Sequence, residues 1–346
     1  TRNRSARSGT AKPSSRTKSF ASTESRYAAA STLPVIDISG LASEDLAERQ
    51  AVGKEIRSAC LANGFFLISN HGIDDQLQQL VFDQAKRFFD LSTEDKMAVD
   101  KALSPANRGY EPMGNQTLEP GSPPDLKEGY YMGQQKDADH PHVLAGKFNC
   151  GPNQWPAQVP EFRPVMEEYL KQMTELGTRL MRGLALSLEL EEDYFDDYCQ
   201  DPMTTLRLLH YPPQPADADP AQRGAGAHTD FGGLTILLQD NAGGLQVWDD
   251  ENQLWLDVEP IPGVYNINLG DMFARWTNDM YRSTLHRVIN NVSGGDRYSI
   301  PFFHAGNSDY LVDCLPGCCK PGEEPKYPPV TVEQHHREMY ARTYGK

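Results

Sequence analysis

From about residue 204 onward the chain stops reading as helix and starts reading as short strands. Seven β-type runs follow one another between turn residues. They are Leu206–Tyr211, Leu234–Leu238, Leu245–Trp248, Leu254–Val258, Val264–Ile267, Thr284–Ile289 and Tyr298–His304. Before that point apolar residues recur at helical spacing. One such stretch covers 44–62, with Leu46, Val52, Ile56, Ala59 and Cys60. A second covers 74–90, with Leu77, Leu80, Val81, Ala85, Phe88 and Phe89. A third covers 161–189, with Phe162, Met166, Leu170, Met173, Leu176, Leu180 and Leu184 among its apolar positions. Asn63-Gly64 marks the end of the first. Short strands are expected at Leu33–Asp37 and Phe65–Ile68, loop over 104–160, and a last helix over about 331–343. No internal repeat is visible. This order predicts a mixed α+β chain whose β half is a sandwich or jelly roll supported by helices.

Composition narrows the partners. The chain of 346 residues carries a formal net charge of −15. Residues 1–26 hold seven basic residues and one acid, which leaves 26 basic and 47 acidic residues, or −21, for 27–346. A body that acidic repels phosphate backbones, so general nucleic-acid binding is not expected. Residues 1–32 are rich in Ser, Arg, Ala and Thr and predict a disordered tail, with organelle targeting as the alternative. Six cysteines, none in a CxxC pair, suit a reducing compartment. No apolar run reaches 18 residues, and no signal-peptide core is present. The expectation is a cytoplasmic monomer with no membrane partner.

The chemistry concentrates in the β half. His228-Thr-Asp230 is followed by His286, with 55 residues between Asp230 and His286, and eleven positions later by Arg297-Tyr298-Ser299. Two imidazoles and one carboxylate are the ligand set of non-haem Fe(II) oxygenases, which keep metal positions open for a co-substrate and O2. On a strand Arg297 and Ser299 share a face. A guanidinium fork beside a hydroxyl suits one end of a dicarboxylate. Spacing alone cannot bring His286 to the His-x-Asp pair; only folding can. The Phe231-Gly232-Gly233 turn and a strand pair expected after Gly270-Asp271 supply a context for it.

Larger segments share this character. Arg207-Leu-Leu-His-Tyr211-Pro212, Ala227-His228-Thr-Asp230-Phe-Gly-Gly-Leu-Thr, Gly243-Gly-Leu-Gln-Val247, Asn268-Leu-Gly-Asp271, Ser283-Thr-Leu-His286-Arg-Val and Arg297-Tyr-Ser299-Ile-Pro-Phe-Phe303 resemble the isopenicillin N synthase-like 2-oxoglutarate/Fe(II) dioxygenases. Leu33-Pro-Val-Ile-Asp37 and Gly64-Phe-Phe-Leu-Ile-Ser-Asn-His71-Gly72 are similar to that family's opening, so the likeness runs from about 33 to about 343. Asn107-Arg-Gly-Tyr110 and Asp125-Leu-Lys-Glu-Gly-Tyr130 look closer to microbial members such as thymine hydroxylase. Where plant members often carry Asn-Tyr-Tyr-Pro, this chain has Leu209-His210-Tyr211-Pro212.

The resemblance implies a double-stranded β-helix (jelly roll) core at about 201–310. It also implies a helical N-terminal support at 33–200 and one dioxygenase domain over 33–346. It assigns iron to His228, Asp230 and His286. It assigns the distal carboxylate of 2-oxoglutarate to Arg297 and Ser299, with a hydrogen bond from Tyr211. Hydroxylation or desaturation of a small molecule, with release of succinate and CO2, follows, and ascorbate is expected to support it. The same Arg-x-Ser occurs in isopenicillin N synthase and ACC oxidase, which do without 2-oxoglutarate. An iron oxidase or cyclase is therefore one alternative, and a catalytically silent binding protein another.

Substrate contacts follow from strand alternation. Phe303 shares the face of Arg297 and Ser299, whereas Phe302 points away. Arg207 shares a face with Tyr211 and can enter the barrel mouth. Phe231 follows the His-x-Asp pair, and Arg108 and Tyr110 lie in a stretch that could cover the mouth. His71 is expected to be structural, and His304 to lie opposite the clamp. His335-His336, on a charged helix, is expected to be solvated.

Overall fold

The computed structural model describes residues 33–344 apart from 215, 216, 218, 220, 290, 292 and 293. The tail expected to be disordered lies outside the described residues. The helices are α1 (Leu46–Ala62), α2 (Asp75–Phe89), α3 (Thr93–Met97), α4 (Pro141–Leu144), α5 (Phe162–Ser187), α6 (Asp196–Cys199), α7 (Asp271–Trp276) and α8 (Val332–Tyr344). The Asp45 carboxylate accepts from the Ala47 N–H and opens α1, and Asn63 caps its end. Gly64 follows at φ +75°, where a Cβ would stand 2.3 Å from the Arg282 carbonyl oxygen. Only glycine fits there.

The strands are β1 (Val35–Asp37), β2 (Phe65–Ser69), β3 (Gly109–Glu111), β4 (Glu128–Met132), β5 (Thr204–Tyr211), β6 (Ala225–His228) and β7 (Leu234–Gln239). They continue as β8 (Leu245–Asp249), β9 (Leu254–Asp257), β10 (Tyr265–Leu269), β11 (His286–Val288), β12 (Arg297–His304), β13 (Leu311–Val312) and β14 (Val330–Thr331). Eight form a major sheet in the order β1-β2-β10-β7-β12-β5-β4-β3, and four form a minor sheet, β6-β11-β8-β9. This is the expected jelly roll.

Strand alternation divides the major sheet into two environments. Ile236, Ile267, Ile300, Phe302, Leu206 and Leu208 face α5 and join its Phe162, Met166, Met173, Leu176, Leu180 and Leu184 in one large core. Burial of such side chains stabilises by about 1.5–3 kcal/mol each. The opposite face meets the minor sheet through two smaller clusters. Phe65, Leu245, Val247 and Val258 form one, and Leu209, Tyr211, Ala225 and Val288 the other. Polar side chains are left on that face between the clusters, and the site is built there.

Several expectations are corrected. Residues 104–160 contain β3 and β4, which extend the major sheet beside β5. Their Gly-rich and charged composition hid them, although Glu128, Gly129, Tyr130, Tyr131 and Met132 are all buried. β6, of sequence Ala-Gly-Ala-His, was too small in side chain to read as a strand. Asp271 opens helix α7 rather than a strand pair, because its N–H donates to the Asp230 carbonyl and turns the chain. Leu46 and Leu80, counted with the apolar stripes, are exposed.

His210 shows how charge is used at the edge of this core. Its Nδ1 meets Glu128 Oε1 at 2.7 Å, its Nε2 meets Asp296 Oδ1 at 2.9 Å, and its ring stacks on Tyr298. Burial alone would depress its pKa, but the two carboxylates outweigh burial and raise it above the ordinary 6.5. A pKa raised by folding adds stability below the unfolded value that is lost as pH rises through the folded one. The melting-temperature gap between wild type and His210→Gln should therefore be widest at about pH 6 and shrink as pH rises past the folded pKa. A gap that grows with pH would contradict the ion-pair assignment.

Candidate active site

β6 and β11 lie side by side with His286 in register with His228, which brings the two imidazoles to a centroid distance of 4.3 Å, their planes tilted by 52°. Asp230 follows β6 by two residues and turns its carboxylate toward both. Asp230 Oδ1 lies 3.8 Å from His228 Nε2 and 3.7 Å from His286 Nε2. One donor atom from each of the three lies within 4.8 Å of the others, an arrangement that could hold one metal ion.

The supporting contacts fit that use. His228 donates from Nδ1 to the Gly226 carbonyl at 2.8 Å, and His286 from Nδ1 to the Thr284 carbonyl at 3.1 Å. Each ring therefore offers a bare Nε2 inward. Asp230 Oδ2 accepts from Thr235 Oγ1 at 2.6 Å and Asn268 Nδ2 at 2.7 Å, so only Oδ1 is left facing the histidines. Burial and the neighbouring His286 hold His228 well below the ordinary imidazole range. Burial by itself would raise Asp230. The imidazoles and its two hydrogen bonds outweigh burial and keep it ionised. A neutral imidazole at His228 and a carboxylate at Asp230 are protonation states that a divalent cation needs.

Two cavities meet at this cluster. The deeper one, about 70 Å³, is lined by the three residues together with Arg297, Ser299 and Tyr211. Arg297 is fully buried on β12, directly across from Tyr211 on β5, with its guanidinium 4.7 Å from that ring. Its Nε donates to the Gly243 carbonyl and its Nη2 to Gln239 Oε1, while its Nη1 has no partner among the described residues. The outer cavity, about 160 Å³, shares His228, Asp230, Arg207 and Phe303 with the deeper one, and adds Phe231 and Arg108. A larger groove of about 610 Å³ beside α7 and α8 contains none of the three metal-ligand candidates.

The expected residues therefore converge, with exceptions. Tyr110 does not line either cavity. It sits in β3, buried against Phe88, and its hydroxyl donates to Glu128 Oε2 at 2.6 Å. Phe303 faces the cavities and Phe302 the helical core, as alternation required. His71 bonds the Gly263 carbonyl, and His304 is buried on the helical side. His335 and His336 are buried, not solvated. His335 Nε2 donates to the Phe231 carbonyl at 2.8 Å, which ties α8 over the turn after Asp230, and His336 lines the outer cavity. Charge around the pair concealed this, because a helix face is assigned only by what packs on it.

Sequence reading also missed Lys127, Thr235 and Asn268. Lys127 lines the deeper cavity and pairs with Asp125, whose Oδ1 accepts the Gly226 N–H, so this ion pair braces the strand that carries His228. Strand alternation would have placed Thr235 and Asn268 on the cavity face, but nothing local marks them as partners of Asp230.

Comparison with known proteins identifies the family. Residues 33–158 match the family model of the non-haem dioxygenase in morphine synthesis N-terminal region, and residues 202–306 that of the 2OG-Fe(II) oxygenase superfamily. The chain is 50% identical over 317 residues to the 2-oxoglutarate-Fe(II) type oxidoreductase hxnY of Emericella nidulans, covering 90% of each. The chain belongs to the 2-oxoglutarate- and Fe(II)-dependent oxygenases. It is also 40% identical over 322 residues to the 2-oxoglutarate-dependent dioxygenase citB of Monascus ruber, covering 90% of this chain and 96% of that one. Among solved structures, a full-length Neurospora crassa protein in complex with α-KG aligns with a TM-score of 0.80 at 31% identity, covering 90% of this chain and 96% of that one. The oxygenase thus oxidises a small molecule with Fe(II), 2-oxoglutarate and O2. Among its described residues no helix is long and apolar enough to cross a membrane.

The hydrogen bonds to Asp230 Oδ2 give a direct test. Thr235→Val keeps the shape and removes one donor. Iron or cobalt affinity, measured by anaerobic titration calorimetry, is expected to fall about 10–100-fold. An unchanged dissociation constant would show that Thr235 has no part in orienting the carboxylate.

Proposed function

We propose that His228, Asp230 and His286 hold the Fe(II) of this oxygenase. Arg297, Ser299 and Tyr211 hold the distal carboxylate of 2-oxoglutarate, and the small-molecule substrate occupies the outer cavity against Phe231, Phe303 and Arg207. The observation that carries this reading is the guanidinium of Arg297. It is 1% exposed, and one of its nitrogens has no acceptor. A buried charge in that state is costly, and a carboxylate supplies both the missing acceptor and the counter-charge.

Fe(II) held by His228, Asp230 and His286 would supply the redox chemistry by which O2 and 2-oxoglutarate oxidise a substrate C–H bond, with succinate and CO2 as products. The chain's own residues do the rest. Arg297 fixes the co-substrate by one end inside the same small cavity that His228, Asp230 and His286 line. Thr235 and Asn268 keep the Asp230 carboxylate from turning. Leu209 and Val288 wall the co-substrate off from water, and Phe303 stands where the two cavities join. Arg207, held by Glu111 and Gln116 and lying 4.3 Å from the Tyr131 ring, stands in the wall shared by co-substrate and substrate.

Asp230→Ala is expected to abolish succinate formation while circular dichroism stays that of the wild type. Wild-type-like iron affinity and turnover would remove Asp230 from the ligand set. Lysine at 297 keeps the charge and loses the planar fork. Hydrogen bonds to charged groups contribute roughly 1.5–3 kcal/mol each, so Arg297→Lys should raise the KM for 2-oxoglutarate about tenfold or more. The change for the primary substrate should be smaller. A defect confined to the primary substrate would mean that Arg297 holds that molecule instead.

A further inference from the structure

The outer cavity contains a cation that the reading above does not use. Arg108 precedes β3 and is 2% exposed. Its Nη2 donates to the Asn149 carbonyl at 2.6 Å, and its Nε has no partner. Among the described residues no carboxylate forms an ion pair with it. The other cations of that cavity share one carboxylate: Lys101 pairs with Glu111 at 2.7 Å, and Arg207 with the same group at 3.4 Å. Burial lowers the Arg108 pKa to about 10, which still leaves it charged at neutral pH.

The seat of this guanidinium is built into the backbone. Asn107 and Gly109, on either side, both have positive φ, at 56° and 114°. A Cβ on Gly109 would stand 2.1 Å from the Val99 carbonyl oxygen. A Cβ on Gly133 would stand 2.2 Å from Arg108 Nη2, so glycine at 133 is what leaves room for the side chain. A lone buried cation costs free energy in the ligand-free protein and is retained where a ligand supplies the opposite charge.

We propose that Arg108 is the recognition residue for a carboxylate on the primary substrate, and that the substrate is a small, mainly apolar organic monocarboxylate. This rests on the reading of the outer cavity as the substrate site. Three features set the class. Among the described residues Arg108 is the cation of this cavity with no ion-pair partner, so a carboxylate of the ligand finds its counter-charge there. Its remaining walls are largely apolar, with Leu118, Phe148, Met203, Phe231 and Phe303. Arg108 lines the outer cavity and not the deeper one, whereas Arg297 lines the deeper one and not the outer. The carboxylate it meets is therefore separate from the one assigned to 2-oxoglutarate.

The test compares small aryl and alkyl monocarboxylates with their primary amides, which keep the body and lose the charge. The enzyme is reconstituted with Fe(II) and saturating 2-oxoglutarate. Binding is read anaerobically by calorimetry, and turnover by succinate release. The expected result is a set of carboxylates bound about tenfold or more tightly than the matching amides. That ratio should collapse toward one in Arg108→Gln and be partly kept in Arg108→Lys. A structural defect would weaken acids and amides alike and leave the ratio in place. The proposal is overturned if no acid is favoured over its amide in the wild type, or if the preference survives in Arg108→Gln. A wild type that favours no acid over its amide overturns the proposal even if Arg108→Gln does not fold, and Arg108→Lys then serves as the second variant. Loss of the parent reading has a different signature: acids bind with the Arg108-dependent preference, but the molecule bound does not compete for the space beside Phe231 and Phe303, as Phe303→Trp would show.

Discussion

The carboxylate of Asp230 is the contact on which the rest of the site depends. One of its oxygens is tied to the major sheet through Thr235 on β7 and Asn268 on β10. The other faces His228 and His286, which belong to the minor sheet. Asp230 therefore joins the two sheets at the point where their polar faces meet. Its backbone takes part as well, since its carbonyl accepts the Asp271 N–H and starts α7. A buried carboxylate without such partners would be protonated or expelled. Here its charge is stabilised by fixed donors, so the chain itself sets the direction in which its free oxygen points.

The jelly roll turns a simple alternation into a division of labour. Along β12, Ile300 and Phe302 contribute to the helical core, while Arg297, Ser299 and Phe303 face the cavities. β5 does the same, with Leu206 and Leu208 on one side and Arg207, Leu209 and Tyr211 on the other. The long helix α5 and its neighbours stabilise the sheet from the face that has no chemistry. Polar side chains on the other face can then be placed for binding without weakening the main core.

Charge is distributed unevenly between the two cavities. Lys127, Lys101 and Arg207 each meet a carboxylate of the chain. Arg297 and Arg108 meet none among the described residues, although both are buried. One lines the deeper cavity and the other the outer, so the unsatisfied positive charge of the site is presented at two separate places. Secondary-structure pairing could not have produced this pattern; it depends on which acids the folded chain withholds.

Much of this was legible in the sequence. Helical spacing located α1, α2, α5 and α8 to within a few residues. Period-two alternation correctly put Arg297, Ser299 and Phe303 on one face and Phe302 on the other. Those are local properties, set by backbone geometry over a few residues. The errors were all non-local. β3, β4 and β6 are strands because neighbouring edges pair with them, not because of their own composition. Tyr110 was placed over the mouth but is buried beside Glu128, and His335-His336 was placed in solvent but is buried, with His336 lining the outer cavity. The sequence by itself determined which residue types could bind iron and a carboxylate and which strand faces carried them. The tertiary structure alone decided which charges were neutralised, because ion pairing and burial depend on distances between residues far apart in the chain.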